Sequence, residues 1–310
     1  MNAIQVSNLS KTYGRGADKV HALNDVSFSV PEGSIFGFIG PNGAGKSTTI
    51  SIILQFLHQD TGEVFLCDQP VNESTLPDLK SRIGFIPDAD LPGIPGIKFL
   101  KHTGYYYGLQ GSKLREKLIE VTELTGTRSF IRRNTKKLSK GQKTKIKIAN
   151  SLIGNPSLII ADEPTTGLDP VARKEFLDLI SLLRKNNGTS IFFSNHVISE
   201  VEKICDEVAI ISQGKIVAQG KISSIIHSLP VKHRYSVSLQ NGRLSDLQNL
   251  PGVVSVEQRS SFEYLIETSD KIGSTPIFLK ELINQPVTVE SFSRENINLE
   301  DVFLSVINNK

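Results

Sequence analysis

Gly40-Pro41-Asn42-Gly43-Ala44-Gly45-Lys46-Ser47-Thr48 brings together residue types that bind phosphate. The spacing fits G-x-x-x-x-G-K-[ST], a phosphate-binding loop. Its glycines let the backbone curl so that successive N–H groups point at phosphate oxygens. A helix starting at this point would add the positive partial charge of its N-terminus. Lys46 would reach the β- and γ-phosphates of a nucleotide, and the Ser47 hydroxyl would ligand Mg²⁺.

A second group of chemically able residues ends the run Leu158-Ile159-Ile160-Ala161-Asp162-Glu163-Pro164. Four apolar residues read as a buried strand, and ligands collect at the C-terminal ends of strands in open α/β sheets. Asp162 would hold Mg²⁺ through water. Glu163 would stand opposite the γ-phosphate and polarise the attacking water as a general base.

Elements must carry these residues to one place. Ile35–Ile39 reads as the strand before the loop, and Thr49–Leu54 as the helix after it. Ser190–Ser194 is another buried strand. Residues 98–126 read as largely helical, with Leu100, Tyr107, Leu114, Leu118, Val121 and Leu124 as core positions. Helices are expected at 141–154, 170–187 and 197–205, and short strands at 64–68, 83–86, 207–212 and 215–219. Alternation at Ile4, Val6, Val20, Ala22, Val26, Phe28 and Val30 predicts a small antiparallel sheet near the N-terminus. The pattern changes near Leu229-Pro230. Beyond it come alternating strands at 235–239, 253–258 and 264–267, a helix at 274–284 and a strand at 287–292. The expected fold is α/β. A P-loop NTPase core carries an N-terminal antiparallel β-subdomain and a helical subdomain over residues 1–225, and a small α+β domain follows over 226–310.

Bulk properties set limits. A chain of 310 residues suggests two domains. The net charge of +3 does not by itself imply nucleic acid. Residues 1–225 carry 27 Lys+Arg against 22 Asp+Glu, and residues 226–310 carry 8 against 10. The excess centres on Arg128–Lys147, with nine basic residues and no acids. That run reads as a solvated face, as a contact for nucleotide phosphate, or as a contact for the anionic inner leaflet. Cys67 and Cys205 match no metal spacing, which points to a reduced cytosolic protein. No secretory leader and no apolar run of spanning length is visible, so a membrane role would come from a partner.

Leu138-Ser139-Lys140-Gly141-Gln142 precedes a helix shortly before the Asp-Glu strand. This Leu-Ser-x-Gly-Gln motif resembles the signature of the ATP-binding cassette proteins, the nucleotide-hydrolysing subunits of ABC transporters. The likeness runs over about residues 3–222. It implies that Tyr13 stacks on adenine, that Asp169 in Pro164–Asp169 lies at a dimer interface, and that His196 after Asn195 contacts the γ-phosphate. Asp169 also suits a helix N-cap with Pro170 behind it. The resemblance further implies ATP and Mg²⁺ as cofactors, a separate integral-membrane permease and a second cassette as partners. Ser139, Gly141 and Gln142 would close on ATP held by that second cassette. The protein would sit at the inner face of the cell membrane.

The chain departs from the family at Asp88, which stands where a glutamine is usual. Asp88 can still meet Mg²⁺ or water, though it offers no amide donor. Lys140 stands where many members have glycine, opposing the helix dipole yet able to approach a phosphate. Thr144, Lys145 and Asn150 also differ, as adjustments of surface charge. The tail Asn298–Leu304 is similar to that of bacterial and archaeal export cassettes for drugs, sodium and nodulation factors, and it also reads as a closing amphipathic helix. An alternative is a soluble cassette acting on ribosomes or DNA, but one P-loop and no heptad array leave nucleic acid unexpected. A non-hydrolysing regulatory cassette is opposed by intact Lys46, Asp162, Glu163 and His196.

Overall fold

The hydrophobic patterns resolve into three sheets among the described residues of a computed structural model. It describes residues 1–227, 233–241, 247–268, 275–285 and 287–308. They divide into two compact units, Met1–Ile222 and Ser223–Lys310. The composition change at Leu229-Pro230 falls outside the described residues.

In the first unit the alternating N-terminal segments pair as β1 (Asn2–Tyr13) and β2 (Val20–Pro31), with β4 (Thr61–Leu66) and β5 (Gln69–Pro70) beyond. The sheet is antiparallel, in the order β2-β1-β4-β5. Ile4, Val6, Leu9, Val26, Phe28 and Val30 face its core.

The second sheet contains β3 (Ile35–Ile39), β6 (Ile83–Ile86), β7 (Leu158–Ala161), β8 (Ser190–Asn195), β9 (Glu207–Ser212) and β10 (Lys215–Lys221). Its order is β10-β9-β3-β8-β7-β6, parallel except for the β10 edge. Every residue of β3, β7 and β8 is buried, as expected of parallel strands covered on both faces. Phe28, Phe36, Phe38 and Phe192 stack between the sheets, joining them into one core.

Register positions the chemistry. Ile39 pairs with Asn195, Ala161 with Phe193, and Ile86 with Ala161. The C-terminal ends of β3, β8, β7 and β6 therefore align. The residues that leave those ends are Gly40, His196, Asp162 and Pro87-Asp88.

Helices α1 (Lys46–Ile53), α2 (Leu76–Ser81), α3 (Gly96–Tyr106), α4 (Gly111–Leu124), α5 (Lys140–Ser151), α6 (Pro170–Asn187) and α7 (Ile198–Ile204) complete the first unit. The expected helical stretch 98–126 is two helices. Gly108 (φ 71°) follows the end of one and Gly111 (φ 56°) opens the other, both in left-handed backbone. Leu100, Leu114, Leu118 and Val121 are buried as read, while Tyr107 and Leu124 are half-buried. Helix α2, and α8 (Ile222–His227) at the unit boundary, are too short for periodicity to reveal.

The second unit is an antiparallel sheet of β11 (His233–Asn241), β12 (Val253–Gln258), β13 (Glu263–Thr268) and β14 (Thr288–Glu295), in the order β12-β13-β11-β14. It also holds α9 (Thr275–Ile283) and α10 (Leu299–Asn308). Of the expected helix, residue 274 lies outside the described residues; of the expected strand, Val287 precedes the ladder. Tyr235 stacks on Phe278 at 4.6 Å and on Phe292 at 5.1 Å to centre this core.

Candidate functional site

The loop after β3 ends in Gly45, the N-cap of α1, at φ 110°. A side chain there would be strained, and its Cβ would lie 2.7 Å from the Ala22 carbonyl oxygen. Glycine thus lets the loop turn tightly into α1 and aim that helix's free N–H groups into the loop. Lys46, only 5% exposed, donates to the carbonyls of Gly40 (2.8 Å) and Pro41 (3.2 Å). Its ammonium also lies 3.1 Å from Glu163 Oε1. A cleft of about 210 Å³ is lined by Ala22, Asn42, Gly43, Lys46, Thr48 and Glu163, with Gly45 and Ser47. The loop and the Asp-Glu strand, more than a hundred residues apart in sequence, thus meet at one cavity.

Glu163 is held from several sides. His196 Nδ1 lies 2.9 Å from its Oε2, and Thr166 Oγ1 donates to the same oxygen at 2.9 Å. Burial pushes its carboxyl pKa up, but Thr166, Lys46 and His196 together outweigh that and hold it below the ordinary glutamate value. The backbone at Glu163 is left-handed, φ 43°, which is uncommon for a residue with a Cβ. Ser194 supports this geometry: its Oγ accepts from Glu163 N at 2.9 Å and donates to Asp162 Oδ1 at 2.7 Å. Strained backbone of this kind persists only where neighbours fix it.

The signature segment has a local physical cause. Ser139 Oγ accepts from Gln142 N (3.3 Å) and Gln142 Oε1 accepts from Ser139 N (3.2 Å), a reciprocal capping box at the start of α5. The Ser-x-x-Gln spacing carries that signal in the sequence. A Cβ on Gly141 would lie 2.7 Å from Ala172 Cβ, so glycine permits α5 to approach α6 closely. Asp169 caps α6, accepting from Val171 N (3.0 Å) and Ala172 N (2.9 Å) ahead of Pro170.

Beyond the loop itself, four residues expected at the bound nucleotide do not line the phosphate cleft: Asp162 and His196, which adjoin it through Glu163, and Tyr13 and Asp88. Tyr13 ends β1, 42% exposed, and is not among the residues lining the cleft. Asp88 lines a separate narrow crevice with Lys140, Thr144, Lys147, Glu163 and Thr166. Lys140 therefore shares the Asp88 crevice and is not among the residues lining the phosphate cleft. The basic run is partly neutralised: Arg128 pairs with Glu123, Lys143 with Asp90 and Lys145 with Glu175.

This loop, strand and signature geometry agrees with comparison to known proteins. The ABC transporter family model matches residues 23–166. The Nod factor export ATP-binding protein I of Burkholderia orbicola is 34% identical over 97% of this chain and 95% of its own length. The chain belongs to the ABC transporter family. The linearmycin resistance ATP-binding protein LnrL of Bacillus subtilis is 34% identical over 70% of this chain and 68% of its own. The solved structure of cbiO1 from Clostridium perfringens, part of the ABC transporter complex cbiONQ, aligns with a TM-score of 0.66 and 26% identity. That alignment covers 73% of this chain and 91% of cbiO1. As a member of this family, the chain is an ATP-binding, ATP-hydrolysing transporter subunit. No helix among the described residues is long and apolar enough to cross a membrane.

Proposed function

We propose that this ABC subunit energises export through a separate membrane permease, acting from the inner face of the membrane as one of two opposed cassettes. The observation that carries the reading is the convergence on Glu163 of Lys46, from the phosphate loop, and His196, from the end of β8. ATP would lie with its phosphates along Gly40–Thr48 and its adenine against Tyr13. Ser47 and Asp162 would hold Mg²⁺, and Asp88, from its crevice on another side of Glu163, would meet the ion or its water. These are hard oxygen donors of the kind Mg²⁺ takes, and the ion keeps its remaining sites for phosphate and water. Among the described residues no group of three or more His, Cys, Asp or Glu side chains is placed to hold a metal ion by itself. Glu163, held ionised, would orient and deprotonate the attacking water, and His196 and Lys46 would contact the γ-phosphate.

Ser139, Gly141 and Gln142 would face the ATP of the opposed cassette, and Asp169 would meet that cassette. The permease would dock over a groove of about 480 Å³ that includes Phe85, Pro87, Leu91, Phe99, His102 and Tyr106 in its lining. Export is supported by the two relatives named for Nod factor export and linearmycin resistance. The smaller domain expected over residues 226–310 would be an accessory to the cassette, a reading supported by the division of the chain into two compact units at Ile222/Ser223.

The test is Glu163→Gln on the full chain. Turnover should fall roughly 10²–10⁴-fold, and gel filtration with ATP and Mg²⁺ should show a dimer that wild type does not accumulate. Undiminished turnover would overturn the general-base role. A strictly monomeric variant would overturn the self-paired cassette.

A further inference from the structure

Glu200 on α7 is a carboxylate only 3% exposed, and none of the motifs above assigns it a task. Its Oε2 accepts from Thr165 Oγ1 at 2.6 Å and from Asn195 Nδ2 at 2.8 Å. Its Oε1 faces Arg173 Nε at 2.8 Å. Asn195 Nδ2 also reaches Thr165 Oγ1 at 3.2 Å, closing a triangle, and Asn195 Oδ1 accepts from Val197 N at 2.9 Å. Burying a charge is costly unless it is paired and hydrogen-bonded, and an apolar residue often fills such a place at lower cost. The cluster therefore needs a reason beyond packing.

Its reason lies in what it joins. Thr165 is two residues after Glu163, Asn195 is the residue before His196, and Arg173 is in the first turn of α6 behind the Asp169 cap. We infer that Glu200 is a positioning residue that locks the Glu163 loop, the His196 loop and the start of α6 into one rigid unit. Ser194 fixes the strained Glu163 backbone from one side, and the Glu200–Thr165 bond fixes the same loop two residues on. A push on the Asp169 turn by an opposed cassette is carried through Arg173, Glu200 and Asn195 to His196. The roles of Glu163 and His196 in this inference rest on the proposed function.

Glutamine at 200 keeps the shape but not the pattern. Whichever way its amide turns, an N–H₂ faces either Arg173 or Asn195, donor against donor. The experiment measures ATP turnover, affinity for a fluorescent ATP analogue and melting temperature on full-length wild type, Glu200→Gln, Glu200→Asp and Thr165→Val. Glu200→Gln should lose roughly 10–100-fold in kcat, the scale of a misplaced reacting group, while affinity stays within about twofold. Glu200→Asp should recover part of the loss. Thr165→Val should lose less, and the double variant should be no worse than Glu200→Gln alone. The ¹⁵N resonances of the His196 ring should shift in both single variants.

A kcat within about twofold of wild type in Glu200→Gln would overturn the inference. So would affinity and melting temperature falling in step with kcat, the mark of a purely structural filler. Should Glu200→Gln not fold, Thr165→Val, which removes a single hydroxyl, decides on the same readouts. Glu163→Gln runs alongside: if it hydrolyses ATP like wild type, the general-base role fails, and the His196 shifts still report on Glu200.

Discussion

Two helices, one in each unit, begin with the same device. Ser139 and Gln142 cap α5 reciprocally, and Asn298 and Asp301 cap α10 reciprocally, Asn298 N to Asp301 Oδ2 at 2.8 Å and Asp301 N to Asn298 Oδ1 at 3.0 Å. The surroundings differ. The α5 cap is uncharged, with Ser139 exposed and Gln142 half-buried, and its first turn has no acid. The α10 cap carries Glu300 and Asp301, and Asp301 is bound by Arg234 of β11 at 2.5 Å, with Glu267 on the same guanidinium at 2.6 Å. Leu299 and Val302 beside it are fully buried. An anionic cap consumes the positive end of its helix, whereas a neutral one leaves that end free for an outside anion. On the proposed function, the difference separates a helix start used by the opposed cassette's nucleotide from one that anchors its own unit.

Arg234 gives the largest break in that comparison. Its side chain, 16% exposed, holds two acids together. Arg234→Met leaves both without their cation and should destabilise the second unit by about 3 kcal/mol. Hydrogen exchange on the full chain would read this as lost protection confined to residues 233–308. ATP turnover should be unchanged. Loss of turnover in parallel would mean the anchored unit also serves the chemistry.

The two caps themselves allow a sharper comparison. Ser139→Ala and Asn298→Ala each remove one cap acceptor and should each cost about 1 kcal/mol. Only Ser139→Ala should also lower turnover, and Ser139→Thr, which keeps the acceptor, should restore stability ahead of activity. Denaturant unfolding and ATPase assays on the four proteins check this. Equal turnover in the two alanine variants would place both caps in the structural class.

Much of the first unit was legible because its signals are local. An apolar run followed by Gly40–Thr48, or by Asp162-Glu163, states both the strand and what stands at its end. The span 170–187 was readable because Asp169-Pro170 starts it and Gly188, at φ 63°, stops it. What was not legible depends on approach between distant segments. Glu200 reads as one more acid on a polar helix. Its burial against Thr165, Asn195 and Arg173 follows from tertiary packing that no spacing announces. The break within 98–126 was missed because helical periodicity continues across Gly108 and Gly111, and only their left-handed backbone reveals the turn. The Asn298–Asp301 cap had a readable spacing, but Arg234, its partner, lies more than sixty residues away in sequence.

Titration offers the finest separation of a charge held for chemistry from one held for anchorage. Burial raises the Glu163 pKa, yet Thr166, Lys46 and His196 outweigh it and hold it below its ordinary value of 4.5. A depressed carboxylate stabilises the fold fully above the unfolded pKa and loses that contribution as pH falls through the lower folded value. The stability gap between wild type and Glu163→Gln should therefore be widest near neutral pH and close on acidification below about pH 4. For Arg234, burial favours the neutral form, but Asp301 and Glu267 outweigh it and raise its pKa further. It stays charged at every accessible pH, so its own titration adds no slope. The deficit of Arg234→Met should be flat from about pH 6 to pH 8. Urea unfolding from about pH 3 to pH 8 measures both. A Glu163 gap that stayed constant into acid would mean that its carboxylate is not held ionised by these partners, and the contrast between the two charges would fail there first.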